Sequence, residues 1–578
     1  MVETELKGAM GWKATGAFVR HLLTSRWFMV FATFLLMSMS GATYMFGIYS
    51  GDIKSSLGYD QTTLNLISFF KDVGANNGIV AGLVNEVAPP WLVLSCGAIM
   101  NFFGYFMIWL VVTHRIAKPP AWQMFLYIGI GTNSQTFPCI VALVSCVKNC
   151  PESRGVVVGM IKGFIGLSGA VITQLYLTFY GHNSKSLILL VAWLPAAVSI
   201  LFLRTIRIME VVQQAHNSHK IFQNFLYSSL SLAGFLMIMI IMQNWLSFTR
   251  FEYAASGSVV LLLLIFTNFL VVVREEFDLW KSKKQVLDDH PPSMVELTPA
   301  EAVPKPQNQE VQVSCFSNMF TQPKRGEDHT ILQGIFTADM LILFTVSAFG
   351  IGGTLVAIDN LGQIGKSLGY PTKTIATFVT LVSVWNFLGR VAAGFASEIL
   401  LAKYNFARPL MLALVLFVSC AGHLLIAFGV PNSVYLASLI VGFCFGAQWT
   451  LIFSIVSELF GLKYYSTLVS IVAGGTPLGT YVLKVRVAGH LYDMEALKQM
   501  AAKGLTRKEG EALTCNGVEC YKLSFLILTA ATFFGCALSL VLSYRTRNFY
   551  KGDIYKKFKD QAHAADTEKL SVTNVTTT

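Results

Sequence analysis

Apolar residues are gathered into fourteen separate blocks, and this pattern constrains the fold more than any other feature of the chain. Each block approaches or exceeds the roughly 20 residues that a helix needs to cross a bilayer. The blocks are residues 27–49, 64–84, 91–112, 122–147, 156–180, 187–204, 221–243, 255–273, 333–358, 373–396, 408–429, 433–457, 465–486 and 522–544. Only 13% of the 578 residues are charged, about half of the roughly 25% in a soluble domain. The sequence therefore predicts an all-α, multi-pass membrane protein surrounded by the lipid bilayer.

The distribution of positive charge predicts the orientation of the chain. With the N-terminus in the cytoplasm, 26 of the 43 Lys and Arg residues fall in the tails and predicted cytoplasmic loops. Eleven fall in predicted outer loops, and six lie within helices or at their ends. This bias follows the positive-inside rule and places both termini in the cytoplasm. It also gives the net charge of +11 a cause other than nucleic acid, so no nucleic-acid partner is expected.

The fourteen blocks are arranged as six, two and six along the chain. We expect the following units: a cytoplasmic tail at 1–26, a six-helix bundle at 27–204, two extra helices within 205–273, a cytoplasmic loop at 274–330, a second six-helix bundle at 331–544, and a basic cytoplasmic tail at 545–578. The loop is polar and Pro-rich with few large apolar residues, which predicts disorder. A membrane-surface amphipathic turn at its start is the alternative.

Ten cysteines are present, and most lie in apolar stretches where they behave as small hydrophobic residues. Cys515 and Cys520 share the predicted outer loop 487–520 and either form a disulfide or remain two unpaired thiols. Cysteines and histidines with metal-ligand spacing are not found, so neither a structural metal nor another cofactor is expected.

An internal repeat relates the two halves. The tripeptide Leu-Gly-Tyr occurs at 57–59 and at 368–370, before the second block of each half. Aligning the copies, with one inserted residue, also matches a Gly-x-x-x-Glu pair in each half: Gly82 with Glu86, and Gly394 with Glu398. Because related halves are common in transporters, the repeat predicts two similar six-helix bundles.

The second copy of the repeat carries a motif that resembles the loop signature of the major facilitator superfamily. The residues of the motif are Gly394, Glu398, Lys403 and Arg408, in GRVAAGFASEILLAKYNFARP. The resemblance implies a glycine that lets helices approach closely, and an acid and bases that latch the cytoplasmic side in one state. The first-half copy, GLVNEVAPPW, lacks the basic residues, which argues against a latch there.

A second resemblance is narrower. The stretch PESRGVVVGMIKGFIGLSGA resembles the family's Arg-Gly start followed by a ladder of glycines, which permits tight helix crossing. More broadly, residues 20–270 resemble the plant Nodulin-like family, whose more distant relatives are oxalate/formate antiporters and monocarboxylate transporters. The chain is therefore expected to have the major facilitator fold, as two pseudo-symmetric six-helix bundles with two extra central helices.

Charged residues inside the blocks are the first candidates for solute binding, because charge is costly in a bilayer. Lys71 and Asp72 lie about 10 Å into their block at 1.5 Å per residue, with Asn76 one turn beyond Asp72. They bind solute or form a structural ion pair between helices. Lys162, in the glycine ladder, either faces the solute or extends its long side chain to the cytoplasmic interface.

Two further positions are compared with the carriers that the resemblance implies. Arg390 occupies the place of an anion-binding arginine in monocarboxylate and oxalate carriers, although Asn386 replaces their nearby acid. The alternative is that Arg390 joins the latch with Glu398. Lys484 ends its block, where an oxalate carrier binds substrate through a lysine; the alternative is an interfacial position near the outer surface.

The remaining candidates are polar. Asn133, Gln135 and Gln448 are predicted to offer hydrogen bonds to the solute. Asp339, at the cytoplasmic start of its block, is a candidate for proton coupling together with Asp72, or serves the helix dipole. Asp359, at the outer end of the same block, is expected to be solvated.

Together these features predict a secondary transporter for a small organic anion such as a carboxylate, with proton coupling as part of the hypothesis. The alternative is a receptor or scaffold that signals through its cytoplasmic loop and tail, whose protein partners the sequence does not identify. Catalytic, dinucleotide and ATPase motifs are not found, so an enzyme is not expected. The membrane is the plasma membrane or an endomembrane such as that of the vacuole.

Overall fold

The computed structural model describes residues 12–59, 61–181, 183–209, 218–246, 248–289, 322–430, 432–504 and 513–552, and those residues are helical or irregular. The helices of the first half and of the extra segment are α1 Trp12–Thr24, α2 Arg26–Ser38, α3 Phe46–Leu57, α4 Gln61–Asn76, α5 Ile79–Val87, α6 Pro90–Val112, α7 Ala121–Asn133, α8 Thr136–Asn149, α9 Arg154–Tyr180, α10 Ser184–Leu201, α11 Ser218–Trp245, α12 Arg250–Leu261 and α13 Thr267–Asp289. Each of the first eight predicted blocks falls on one or more of these helices.

The second half is built in the same way. Its helices are α14 Ile331–Ile335, α15 Ala338–Val346, α16 Gly352–Ser367, α17 Thr372–Tyr404, α18 Arg408–Phe428, α19 Ser433–Leu459, α20 Tyr465–Ala473, α21 Gly475–Thr480, α22 His490–Ala502 and α23 Glu519–Lys551. Wider π-type turns join α12 to α13, α15 to α16 and α21 to α22, so each of these pairs continues as one long helical segment.

Eleven helical segments of the described chain are long and apolar enough to cross a membrane. Three predicted crossings fall short of that standard. One is interrupted between α4 and α5, one is the shorter α10, and the third is α17. The number of fourteen crossings and the cytoplasmic position of the termini remain predictions.

Several helices extend beyond the apolar blocks that predicted them. The segment from α15 to α16 ends at Ser367 instead of 358, and the segment from α20 to α22 runs to Ala502 instead of 486. Hydropathy detects the part of a helix that faces lipid, whereas backbone hydrogen bonds continue a helix through polar residues. Charged residues near the predicted ends therefore lie well inside the helices.

The start of the predicted loop 274–330 is helical, which corrects the expectation of disorder for that part of the loop, and the predicted tail 1–26 contains helix α1. Helix α13 continues to Asp289, and its Phe277 ring lies 5.9 Å from the Phe18 ring of α1. His21 of α1 lies 3.0 Å from the Glu276 carboxylate. The start of the loop is thus amphipathic and packs on the N-terminal helix, while residues 290–321 lie outside the described residues.

The two halves meet most closely where α9 of the first half crosses α17 of the second. A Cβ atom at Gly159 would lie 2.8 Å from the Arg390 carbonyl oxygen and 2.9 Å from Gly394 Cα. A Cβ atom at Gly163 would lie 2.9 Å from the Val391 side chain. Glycine at these positions allows an approach that a larger residue would prevent.

Candidate functional site

A cavity of about 470 Å³ lies between the two halves, which is within the size range of about 300–1,000 Å³ for small-molecule sites. Its polar and charged lining comes from both halves and comprises Ser40, Thr43, Tyr44, Ser68, Lys71, Asp72, Asn76, Thr132, Gln135, Thr136, Cys139, Lys162, Asp359, Ser383, Asn386, Arg390, Ser470 and Lys484. Seven of the predicted binding candidates therefore border one space: Lys71, Asp72, Asn76, Gln135, Lys162, Arg390 and Lys484.

Lys162 lies in the inner part of the cavity, two turns beyond the start of α9. Its ammonium group is 3.1 Å from the Cys139 sulfur and 4.2 Å from the centre of the Phe453 ring. Only 6% of the residue is exposed, so the side chain does not extend to the interface. Among the described residues no carboxylate forms an ion pair with it. The charge of Lys162 is held by a thiol and by the faces of aromatic rings.

Arg390 borders the same inner region from α17 and is 3% exposed. Its Nε donates to Asn386 Oδ1 at 2.8 Å, and its Nη1 donates to the Lys162 carbonyl oxygen at 2.7 Å. The Tyr44 side chain is a further neighbour. These acceptors are neutral, so within the described structure the guanidinium charge is not balanced by a carboxylate. We name Lys162 and Arg390 the inner cation pair.

Gln135 offers a hydrogen-bond donor to the same cavity. The residue is 6% exposed, and its side-chain Nε2 has no hydrogen-bond partner among the described residues. A buried amide donor without an acceptor is costly. Gln135 lies one helical turn from Cys139, the residue that Lys162 contacts. A hydrogen-bond acceptor of a solute bound beside Lys162 could therefore accept from the Gln135 amide.

The outer part of the cavity contains a chain of alternating charges. Lys71 Nζ lies 2.7 Å from Asp72, Asp72 lies 3.7 Å from Lys484, and Lys484 lies 2.7 Å from Asp359. We name these four residues the outer charge network. It crosses from the first half to the second between Asp72 and Lys484, and its two cations are balanced by two carboxylates.

Two positions in the outer charge network were compared with the outer surface in the sequence. Asp359 was expected to be solvated at the outer end of its block, and Lys484 was predicted either to bind the solute or to lie at the outer interface; both line the cavity. The reason is that their helical segments continue to Ala502 and Ser367. The ends of the apolar blocks therefore do not mark the ends of the helices, and both charged residues lie inside helical segments.

Two predicted solute-binding residues do not line the cavity. The Asn133 amide donates to the carbonyl oxygens of Gly74, at 3.0 Å, and of Asn77, at 2.7 Å, where α4 is interrupted. The Gln448 amide is fully buried and donates to Thr354 at 3.1 Å. These amides form hydrogen bonds between helices. A helix points its side chains in all directions, so only some of its polar residues face the cavity.

Asp339 also lies away from the cavity, which argues against its predicted role in proton coupling. Its two oxygens accept from Arg325, at 2.8 and 2.9 Å, and from Arg545, at 2.7 Å. The carboxylate therefore joins the end of the central loop to the last helix. Asn76 remains on the cavity side, where its amide donates to the Asp72 carbonyl oxygen at 2.9 Å.

The predicted latch residues Glu398 and Arg408 meet at the predicted cytoplasmic end. Arg408 is fully buried and donates to Glu398 at 2.7 Å, to Glu458 at 2.7 Å, and to Ser397. Glu398 also accepts from the Gly155 amide at 3.0 Å, so it reaches the other half at the start of α9. Gly394 supplies the close approach to Gly159, whereas Lys403 is exposed.

Glu86 forms the corresponding contact in the first half without basic residues, contrary to expectation. It accepts from the Thr467 amide at 3.3 Å and from the Ser466 hydroxyl, both at the start of α20. Each Gly-x-x-x-Glu motif thus places its acid on the N-terminus of a helix in the opposite half. Exposed amides and the helix dipole stabilise a carboxylate there, so a nearby base is not required.

Cys515 and Cys520 are joined by a disulfide in the predicted outer loop, which contains helix α22. The Cys515 amide donates to Tyr492 of α22 at 3.1 Å, and the Gly517 amide donates to the Ser367 carbonyl oxygen at 2.8 Å. The bonded loop therefore connects α22 to the end of α16.

An aromatic wall of the cavity comes from one face of α19. Phe445, Trp449 and Phe453 line the cavity at four-residue spacing. The ring centres are 6.3 and 5.4 Å apart. The four-residue spacing is the signal for one helix face, although spacing alone does not distinguish a cavity from lipid.

Among the described residues, no cluster of three or more His, Cys, Asp or Glu side chains is arranged to hold a metal ion.

Comparisons with known proteins place this geometry in context. Residues 26–273 match the family model described as Nodulin-like, and residues 331–552 match the model described as NFD4, C-terminal domain. Protein NUCLEAR FUSION DEFECTIVE 4 of Arabidopsis thaliana is 24% identical over 568 residues, covering 95% of this chain and 91% of the relative. The similarity thus spans both halves.

Two more distant comparisons concern transporters. The probable transporter MCH1 of Yarrowia lipolytica is 25% identical over 222 residues, covering 37% of this chain and 43% of the relative. The solved structure of the proton:xylose symporter XylE of the major facilitator superfamily superposes with a TM-score of 0.51 and 11% identity. The superposition covers 91% of this chain and 96% of the XylE chain. The predicted major facilitator fold is confirmed.

Proposed function

We propose that this chain, whose residues 26–273 match the Nodulin-like family model, is a secondary transporter that carries a small organic anion by alternating access. The fold is that of major facilitator transporters, and the partial similarity to a probable transporter agrees with transport. The solute would lie in the cavity between the halves, and each end of the cavity would open in turn.

The observation that carries the proposal is the inner cation pair. Lys162 and Arg390 are almost fully buried, and no carboxylate of the described chain pairs with either. Buried charge is costly unless it is paired. An anion between them would supply the missing negative charge, and the arginine fork suits a carboxylate, which it can bind through two hydrogen bonds.

The charge balance of the whole cavity supports the same sign of solute. The described lining contains four cations, Lys71, Lys162, Arg390 and Lys484, and two carboxylates, Asp72 and Asp359. Because the outer charge network is balanced within itself, the excess positive charge lies at the inner cation pair. The free amide of Gln135 adds a donor, which an anion can also accept.

Proton coupling is proposed through Asp72. Of the predicted coupling residues, Asp72 borders the cavity, and its carboxylate contacts Lys71 and Lys484 of opposite halves. Protonation of Asp72 would remove its attraction to both lysines, leave Lys484 paired with Asp359, and so weaken the connection between the halves. Asp359 shares Lys484 and is the second carboxylate that could take this role.

Uptake of labelled carboxylates into liposomes that contain the purified full chain tests the proposal. We expect Arg390→Gln and Lys162→Gln to lower uptake at least tenfold, because an ionic hydrogen bond is worth about 1.5–3 kcal/mol. The matched control is Lys498→Gln, an exposed lysine of α22, which should leave uptake unchanged. An inward proton gradient should stimulate the wild type but not Asp72→Asn. Full uptake by both inner variants would contradict the anion site.

A further inference from the structure

The inner cation pair lies against a continuous aromatic wall. Phe445, Trp449 and Phe453 project from one face of α19, with neighbouring rings nearly perpendicular, at 90° and 89°. The Lys162 ammonium lies 4.2 Å from the Phe453 ring centre and 5.9 Å from the Trp449 ring centre. The positive charge and the aromatic surface are therefore adjacent parts of one site.

The first half adds aromatic surface of its own to the lining. Tyr44 and Phe46 both border the cavity, and Tyr44 is also a neighbour of the Arg390 guanidinium. A solute held at Arg390 thus has flat apolar side chains available from both halves. Flat side chains bury flat ligands well, because ring-to-ring contact adds to the hydrophobic gain.

The rest of the cavity offers no second site of unbalanced positive charge among the described residues. At the outer end, Lys71 contacts Asp72 at 2.7 Å and Lys484 contacts Asp359 at 2.7 Å. A second carboxylate of the solute would have to displace one of these aspartates. The arrangement therefore suits an anion whose charge is at one end.

We propose that the solute is a monocarboxylate with a flat, unsaturated or aromatic body, whose carboxylate binds Lys162 and Arg390 and whose body packs on Phe445, Trp449 and Phe453. The inference rests on the proposed anion transport and specifies its substrate class. Short aliphatic acids would lack contact with the wall, and dicarboxylates would disturb the outer charge network.

Ligand binding to the purified full chain tests the inference through a panel of five compounds. The compounds are benzoate, phenylacetate, acetate, succinate and the uncharged benzyl alcohol, each measured by its dissociation constant in isothermal titration. We expect benzoate and phenylacetate to bind at least tenfold more tightly than acetate or succinate. Benzyl alcohol should bind at least tenfold more weakly than benzoate, since it lacks the charge.

Variants of the aromatic wall distinguish contacts with the body of the solute from contacts with its carboxylate. Phe445→Leu and Phe445→Met, at a wall residue that does not hold the Lys162 charge, should each weaken benzoate about three- to tenfold, the range expected for a lost aromatic contact, and leave acetate within twofold. Phe417→Leu is the matched control, because Phe417 is an exposed residue of α18 outside the cavity lining. Arg390→Gln should weaken every carboxylate.

The possible failures are distinguishable. If acetate or succinate binds as tightly as benzoate, or if the wall variants weaken all carboxylates equally, the substrate class is wrong while anion binding stands. If none of the carboxylates binds, or if benzyl alcohol matches benzoate, the anion site itself is contradicted. The use of two wall variants keeps the test valid if one of them does not fold.

Discussion

At the scale of single residues, the proposed function rests on the buried charges of the apolar blocks. Lys71, Asp72, Lys162 and Arg390 were candidates for solute binding, each with a structural or interfacial alternative, and all four border the central cavity. Their positions could be predicted because a charged side chain in the lipid core is costly, and such residues usually face the interior of the bundle or a cavity. Their partners could not, since a contact between helices depends on packing that one sequence does not reveal.

Asp359 and Lys484 show where prediction from hydropathy ends. Because the apolar blocks stop at 358 and 486, Asp359 was expected at the outer end of its block, and an outer interfacial position was the alternative for Lys484. In the folded chain the helices continue, and the two residues form an ion pair of 2.7 Å within the cavity. Asp339 shows the opposite error, since its two arginine partners come from a loop and from the last helix.

Gly159 gives a prediction at this scale. We expect Gly159→Ala to destabilise the protein by about 1–3 kcal/mol, the usual cost of overpacking, because its Cβ would lie 2.8 Å from the Arg390 carbonyl oxygen. Gly234→Ala is the matched control: a helical glycine of α11 with no atom within 4 Å of its added Cβ. It should be neutral or stabilising. Thermal unfolding midpoints measure both, and equal shifts would contradict the predicted contact between the halves.

At the scale of helices, the two Gly-x-x-x-Glu motifs form equivalent contacts across the molecule. The repeat in the sequence predicted their equivalence, and Gly58 and Gly369 of its two copies share a left-handed backbone, with φ of 60° and 78°. The basic residues of the motif did not predict which copy contacts the opposite half. Glu86 needs none, because helix N-terminal amides satisfy its carboxylate.

The two latches should therefore loosen independently. Glu398→Gln removes the charge that accepts from the Gly155 amide, so hydrogen exchange at residues 154–160 should become faster. Glu86→Gln should have the same effect on residues 465–470, where Thr467 loses its charged acceptor. Exchange measured by mass spectrometry compares the two peptides, and each variant is the control for the other. Unchanged exchange in both peptides would show that these contacts do not hold the halves together.

At the scale of the whole molecule, two bundles meet at the predicted cytoplasmic end around a cavity lined by both. The contact is held by the two latches and by the glycines of α9 against α17. Alternating access requires this end to separate while the outer charge network closes the other end. Both events must expose the same inner cation pair, first to one side of the membrane and then to the other.

Cys139 allows a direct measurement, since it borders the cavity and contacts Lys162 at 3.1 Å. A variant that keeps Cys139, Cys515 and Cys520 and replaces the other cysteines would be labelled with an impermeant thiol reagent in vesicles of each orientation. We expect Cys139 to be labelled from the outer side. Glu398→Gln should shift labelling to the cytoplasmic side, and a bound carboxylate should slow both reactions. Labelling of Cys139 from both sides at undiminished rates, whatever the latch or the solute, would contradict this expectation.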